Sequence, residues 1–450
     1  MGASKAAEFM PAERVEEVLE QVLASSPADE TELVWFERRV GRVTQGSRGG
    51  GDQDRLEVPR LTVLVRAVEG QRQGWYRTEV PLGNELESGL RQALALAKVQ
   101  PKARKRPLLP AKAEEIAPSP NLVDPAIDGL TLGDARRHLG SWCGEDVRGE
   151  LQWSSTRLAV FNSHGLRRRA RTTEVSLRVT AGEGPGEGLG GASARSLEAL
   201  RAPAVVERAL RWRGSGTPAP IPERPVPLLL APEAVAELLN LLNMFAFAGR
   251  AYLDGTSFLT RHRGIQVFDR GFGLRDDGTR TPGMPFPFDL EGSAKRPLDL
   301  IVEGQPSTPA LNLFQGGEAG LEPTAQSVGG QDAFFGNLFL LPGGAGEEDL
   351  LAAADGGLRI GWLETPECYD PTQLEVRVKA RGVRRIEGGR PGPPVADLVW
   401  EDSLLRSLAR LKAVGDDPVV RAMPSTPLGG ITTPSLVLAE AGDLGPAPSS

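Results

Sequence analysis

Two strand-like runs joined by a four-residue turn limit the fold of this chain more than any other feature. ELQWSSTRLAVF (150–161) and LRRRARTTEVSLRVT (166–180) flank NSHG (162–165). Asn162 and Gly165 tolerate positive φ, so the turn closes a hairpin and commits this half of the chain to an antiparallel or mixed sheet. Further strands precede it: ELVWFERRVGRVTQG (32–46), then RLTVLVRAVEGQRQGWYRTEV (60–80), which turns back at Glu69-Gly70. Helices alternate with them. Val15, Val18, Leu19, Val22 and Leu23 recur at helical spacing, as do Leu86, Leu90, Ala93, Leu94 and Ala97 in 84–99. Two more helices are expected near 131–146 and 195–212.

Between these elements lie SRGGGDQD, a proline-rich connection over 100–120, and AGEGPGEGLGGAS (181–193), which reads as a mobile Gly-rich loop. The sharpest break is GSGTPAPIPERP (214–225), a composition typical of a domain boundary. Beyond it come a strand (PVPLLL), an apolar helix, and short β segments punctuated by Gly and Pro, with helices at 347–355 and 402–412. LGPAPSS at the end is expected to be disordered. The expected fold class is α+β, with an N-terminal helix-on-sheet domain over 1–215 and a mainly β domain over 225–445.

A net charge of −7 over 450 residues disfavours nucleic acid as a partner, because phosphate binding needs a basic surface. Two distant cysteines, Cys143 and Cys368, give neither a disulfide framework nor metal-ligand spacing. MGASKAAEFM lacks the layout of a signal peptide, and no apolar run reaches the ~18 residues of a membrane span. The expectation is a cytoplasmic protein with no membrane association.

No catalytic set is evident. The three histidines, His138, His164 and His262, have no HExxH spacing and no cysteine partner. His164 belongs to the hairpin turn and His138 to a solvated helix face, whereas His262 lies between two arginines. The 181–193 stretch lacks the Gly-Lys-Ser/Thr ending of a phosphate loop. Arg167, Arg168 and Arg169 open a strand and read as a solvated edge or partner surface. Asp276-Asp277-Gly278 and FDLEG, with Asp289 and Glu291, read as turn-stabilising acids. A hydrolase using His262 with Asp276 and Asp277 is the minority alternative.

The most unusual segment is ELLNLLNMFAFAGRAYLDGTSF (237–258), a helix with no histidine or cysteine that runs straight into a Gly-Thr-Ser-Phe turn. The C-terminal half resembles the TldD/PmbA family, once called modulators of DNA gyrase. The resemblance rests on GTSFL (255–259), VFDRGFGLRDDGTRTPG (267–283), FPFDLEG (286–292), LDLIVEG (298–304), NLFLLPG (337–343), ARLKAVGDD (409–417) and TPSLVLAEAGDL (433–444), which occur in the family's order; FNSHGL resembles its N-terminal turn. The resemblance implies two subunit types. One carries an HExxxH zinc helix before the Gly-Thr-Ser turn and a cysteine ligand near the C-terminus; the other, PmbA/TldE-like, lacks them and pairs with the first. Counting back from Gly255, the HExxxH slot falls on Asn240 to Phe245, with Leu241 at the acid position. MPSTPLGGITTPSL offers no cysteine where the third ligand would stand.

The resemblance therefore implies a non-catalytic subunit of a zinc metallopeptidase complex that degrades unfolded peptides or processes precursor peptides. This chain would hold no cofactor, and zinc would sit in a TldD-like partner. The alternative is a homodimeric scaffold or peptide-binding protein without protease activity. Thr256, Ser257, Phe258, Asp289 and Glu291 are the candidates for the peptide channel or subunit contact. Departures from the family pattern occur at LEVRVKARG (374–382), FDLEG and EDS (401–403).

Overall fold

The computed structural model describes residues 9–46, 53–79, 83–110, 116, 122–144, 146–426 and 428–447. The first eight residues, most of SRGGGDQD, most of 111–121 in the expected proline-rich connection, and the last three residues of the expected disordered tail lie outside the described set. The fold is α+β.

In the N-terminal half, six antiparallel strands stand in the order Arg72–Thr78, Arg60–Glu69, Glu30–Gln45, Val147–Asn162, Arg167–Ala181, Gly188–Ala194, with Asp54–Leu56 added beside Glu30–Gln45. The NSHG hairpin forms as expected: Asn162 Oδ1 accepts from the amides of His164 (3.0 Å) and Leu166 (3.1 Å). Alternation along the strands sorts the two faces. Leu33, Trp35, Val63 and Val65 point toward helices Ala12–Ala24 and Gly83–Val99. Val34, Leu158 and Val160 point the other way, onto Phe286, Phe288 and Leu290 of the C-terminal half. The expected helices at 131–146 and 195–212 are shorter, Leu132–Cys143 and Ala202–Arg211.

The expected mobile loop at 181–193 is a correction. Gly188–Ala194 is a strand buried along its whole length. A Cβ on Gly188 would lie 1.9 Å from the Ala209 carbonyl oxygen, and one on Gly190 2.5 Å from that of Val205. The glycines admit helix Ala202–Arg211 against the strand backbone, a packing reason that composition alone mistakes for flexibility. The arginine run is a second correction, in part. Arg167 pairs with Glu20 and Arg169 with Glu16 of the first helix, while Arg168 donates to the Gly292 carbonyl (3.2 Å). These arginines tether the strand to its neighbours, and Arg169 stays exposed as expected of a solvated edge.

Three sheets build the C-terminal half. Leu228–Leu230 lies at the centre of one, parallel to Leu358–Ile360 and antiparallel to Leu436–Leu438. A second joins Asn337–Leu340 in parallel with Gly430–Thr433 and antiparallel with Leu274–Asp276. The third is the antiparallel set Trp362–Asp370, Glu375–Arg381, Leu398–Ser403, Asp443–Pro446. The last of these strands corrects the expected disordered tail: Leu444 and its neighbours pair with Leu398–Ser403. The helix expected over 402–412 spans Leu404–Leu408 and gives way to strand Leu411–Val414. One apolar core unites these sheets around the helix that follows Leu230.

Candidate functional site

The chemically empty helix grows out of a fully buried strand of the C-terminal half. Leu228, Leu229 and Leu230 are all buried, and the amide of Ala231 donates to Ile360 O (2.9 Å), which fixes the exit direction. Pro232 then opens helix Pro232–Leu241, where a missing N–H costs nothing. The helix widens into a π turn over Leu242–Ala246, closed by Phe247 N donating to Leu242 O (3.0 Å). A short helix, Gly249–Leu253, leads to the Gly-Thr-Ser turn.

That turn serves the widened helix end. The Ser257 hydroxyl donates to the Ala246 carbonyl and accepts from the Leu259 amide at 3.1 Å. The amides of Thr256 and Ser257 both donate to Ala251 O, at 3.0 and 3.1 Å, and Gly255 takes φ 73° to bring them there. Phe258 is fully buried and meets Phe247 edge-on at 5.9 Å and Phe268 at 5.8 Å. Of these three candidates, Thr256 alone is exposed; Ser257 and Phe258 are structural supports of the helix exit in this conformation.

The slot from Asn240 to Phe245 falls across the α-to-π transition. Asn240 Oδ1 accepts from the Ser425 hydroxyl at 2.7 Å. Asn243 is fully buried; its Oδ1 accepts from Phe335 N (3.0 Å), and its Nδ2 donates to Phe335 O (3.0 Å) and Met423 Sδ (3.0 Å). Thr426 Oγ1 completes the corner by donating to Phe335 O at 3.1 Å. The Met423–Thr426 loop, from the stretch that holds no cysteine, is therefore fastened to the slot by neutral hydrogen bonds. Leu241 is buried in the core, and Phe245 packs against it. A zinc ion wants imidazole, thiolate or carboxylate donors. An amide already engaged by a hydroxyl, a leucine and a phenylalanine do not fit it. Among the described residues, no three His, Cys, Asp or Glu side chains converge on a possible metal position.

The other candidates belong to the seam between the two halves. Asp289 Oδ1 accepts from Glu291 N and Ser293 N, both 3.0 Å, and Oδ2 from Ser327 N at 2.9 Å. This is the turn-stabilising role expected of an acid before glycine. Burial, reinforced by the Glu291 charge, pushes the Asp289 carboxyl up to about 7. Glu291 receives Arg66 Nη1 (2.9 Å) and Leu313 N (3.0 Å), so a cation of the N-terminal sheet reaches into the C-terminal half. Glu32, 3.7 Å from the same guanidinium, has both oxygens sealed without a hydrogen-bond partner, and its burial raises its pKa well above the ordinary value. Asp289 and Glu291 are buried, so neither carboxylate faces solvent as a channel wall would.

His262, Asp276 and Asp277 are not assembled by hydrogen bonds. His262 Nδ1 pairs with Phe258 O (2.9 Å). Asp276 accepts from the amides of Gly336 and Asn337 and from Gln326, and Asp277 from Thr279. Local sequence pattern does not reveal Arg66 and Glu32 as site residues, because Glu32 lies opposite Arg66 on the paired strand and Arg66 meets Glu291 225 positions away.

Residues 223–442 match the family model of the PmbA/TldA metallopeptidase C-terminal domain. The fold is similar to that of TldE from Thermococcus kodakarensis, with 19% identity and a TM-score of 0.80 over 94% of this chain and 99% of that one. It is also similar to a candidate modulator of a DNA gyrase from Thermotoga maritima, at 20% identity and TM-score 0.77, covering 95% and 99% of the two chains. A Bacteroides thetaiotaomicron protein with the same description gives 18% and 0.76, covering 98% and 100%. No curated protein matches the sequence. Among the described residues, no helix is long and apolar enough to cross a membrane.

Proposed function

Through its C-terminal domain the chain belongs to the PmbA/TldD family, and from that premise we propose that it is a non-catalytic, TldE-like subunit that pairs with a zinc-bearing TldD-like metallopeptidase. One observation carries the reading. The helix position where a metallopeptidase of this kind would hold zinc is filled by Asn240, Leu241 and Phe245, and Ser425 occupies the Asn240 oxygen at 2.7 Å. Such a corner packs well and has no group able to activate water.

Its contribution is structural. The helix, its π turn and the Gly-Thr-Ser exit form a rigid wall, and the complex would enclose a cleft that admits extended peptides. Thr256, exposed at the exit, is the first of the five candidates to test for contact with peptide or partner.

Capture of the tagged chain from its own cells tests the proposal, with zinc and cleavage of an unstructured peptide measured on the eluate. The expected result is an HExxxH-bearing partner, zinc in the complex, and cleavage by the complex but not by the chain alone. Recovery of an inert, metal-free homodimer would favour a scaffold instead.

A further inference from the structure

A cavity lies at the start of the slot helix, at the end opposite its π turn. It measures about 260 Å³ and opens between helix Ala202–Arg211, the start of helix Pro232–Leu241 and the loop at Asp416. Most charges around it are already paired. Arg208 Nε meets Glu233 Oε1 at 3.0 Å, and Arg211 Nη2 meets Glu347 Oε2 at 2.6 Å. Both Asp417 oxygens accept from Ser435, at 2.8 Å from its amide and 2.7 Å from its hydroxyl.

What remains is Arg359, whose charge is offset by Glu233 and Asp417 without a direct contact, and two acids nearer the surface. Arg359 is only 3% exposed, yet among the described residues its guanidinium has neither a hydrogen bond nor an ion pair; its close neighbour is the Trp212 ring, 3.9 Å from Cζ. Burial lowers its pKa to about 10, so it stays charged at neutral pH. A largely buried guanidinium without an acceptor is costly, because burial strips away most of the water its donors would otherwise hold. Pro232 lines the same cavity, and the Ala231 cap offers no side-chain acceptor to the helix start, which leaves that end attractive to an anion. At the rim, Asp416 and Glu207 are exposed, and neither carboxylate has a hydrogen-bonding or ionic partner among the described residues.

We propose that this cavity binds a small zwitterion, a free α-amino acid, with its carboxylate on Arg359 and its ammonium facing Asp416 and Glu207. A phosphate dianion would meet the rim acids unfavourably, and a plain cation would meet Arg359. The volume falls just below the usual range for drug-sized ligands and suits one small amino acid with its water. The proposal is independent of the subunit reading, since no residue of the slot takes part.

Calorimetric titration of the full chain with L-alanine, acetate, methylamine and inorganic phosphate tests it. L-Alanine should bind saturably, acetate more weakly, and methylamine and phosphate not at all. Arg359→Met should weaken L-alanine by about 10- to 100-fold, the scale of a lost charge-assisted contact. That variant alters a buried site, so Asp416→Asn/Glu207→Gln at the exposed rim supplies a second test. It should weaken L-alanine by about three- to tenfold and leave acetate unchanged or tighter. Absence of saturable L-alanine binding, phosphate binding tighter than L-alanine, or an unchanged L-alanine affinity in the rim variant would overturn the assignment.

Discussion

The slot corner and the seam between the two halves both bury polar side chains, but they do so with opposite chemistry. At the slot, Asn240 and Asn243 are neutral and matched by Ser425, Phe335 and Met423. At the seam, Arg66 faces Glu291 and Glu32 together, Asp289 stands close by, and Glu32 keeps two oxygens without partners. A neutral, satisfied corner gives a fixed shape that is indifferent to pH. A seam with more acids than cations makes the docking of the two halves depend on protonation. The region whose place in the chain implies chemistry thus holds neutral, matched groups, and the seam, whose acids read as turn residues, holds the titrating ones.

The largest expected effect is at the seam. Arg66→Met leaves Glu291 and Glu32 buried without their cation, and removal of one partner from a buried ion pair costs on the order of 3–5 kcal/mol. Urea unfolding measures this; a loss below about 1 kcal/mol, the scale of a surface pair, would show that the seam is wetter than its burial indicates. Next comes pH. The Asp289 carboxyl is raised to about 7, so the folded state holds its proton more firmly than the unfolded chain does. That contribution is complete below the unfolded value near 3.8 and is lost as pH climbs through 7. Glu32 and Glu291, also raised by burial, act in the same direction. Stability should therefore fall between about pH 4 and 7 by on the order of 4 kcal/mol, and Asp289→Asn should flatten part of that slope.

At the slot, Asn243→Ala should cost about 2 kcal/mol, because it strands the Phe335 amide in the core, while Thr426 still serves the Phe335 carbonyl. The cost should not change between pH 5 and 8, in contrast to the seam. The smallest effects belong to the turn. Ser257→Ala should cost about 1 kcal/mol by freeing the Ala246 carbonyl, whereas Thr256→Ala at the exposed neighbour should fall within about 0.5 kcal/mol of the parent. Equal losses at the two positions would contradict the division between support and surface.

Periodicity and turn chemistry made much of the first half legible. The Asn162 turn, the flanking strands and the first two helices each follow from local pattern, because one hydrogen-bonded turn and one apolar stripe suffice to define them. Gly188–Ala194 was not legible, since its glycines answer to the carbonyls of Val205 and Ala209 on a helix that packs only after folding. The slot's lack of ligands was visible from Asn240, Leu241 and Phe245 alone. Its fastening to Ser425 was not, because the two residues stand 185 positions apart. Asp289 was recognisable as a turn acid, while its coupling to Arg66 through Glu291 depends on how two separately built layers meet. Local chemistry shows what a residue can do; its distant neighbours determine what it does.

The central claim is that the slot helix keeps its packing and has no metal chemistry. Elemental analysis of the purified full chain, incubated with zinc and then freed of loosely held metal, tests it most directly. The account predicts well under one zinc per chain and no change when Asn240 is replaced by Ala. One zinc per chain, lost in Asn240→Ala, would contradict it and return the helix to the catalytic class.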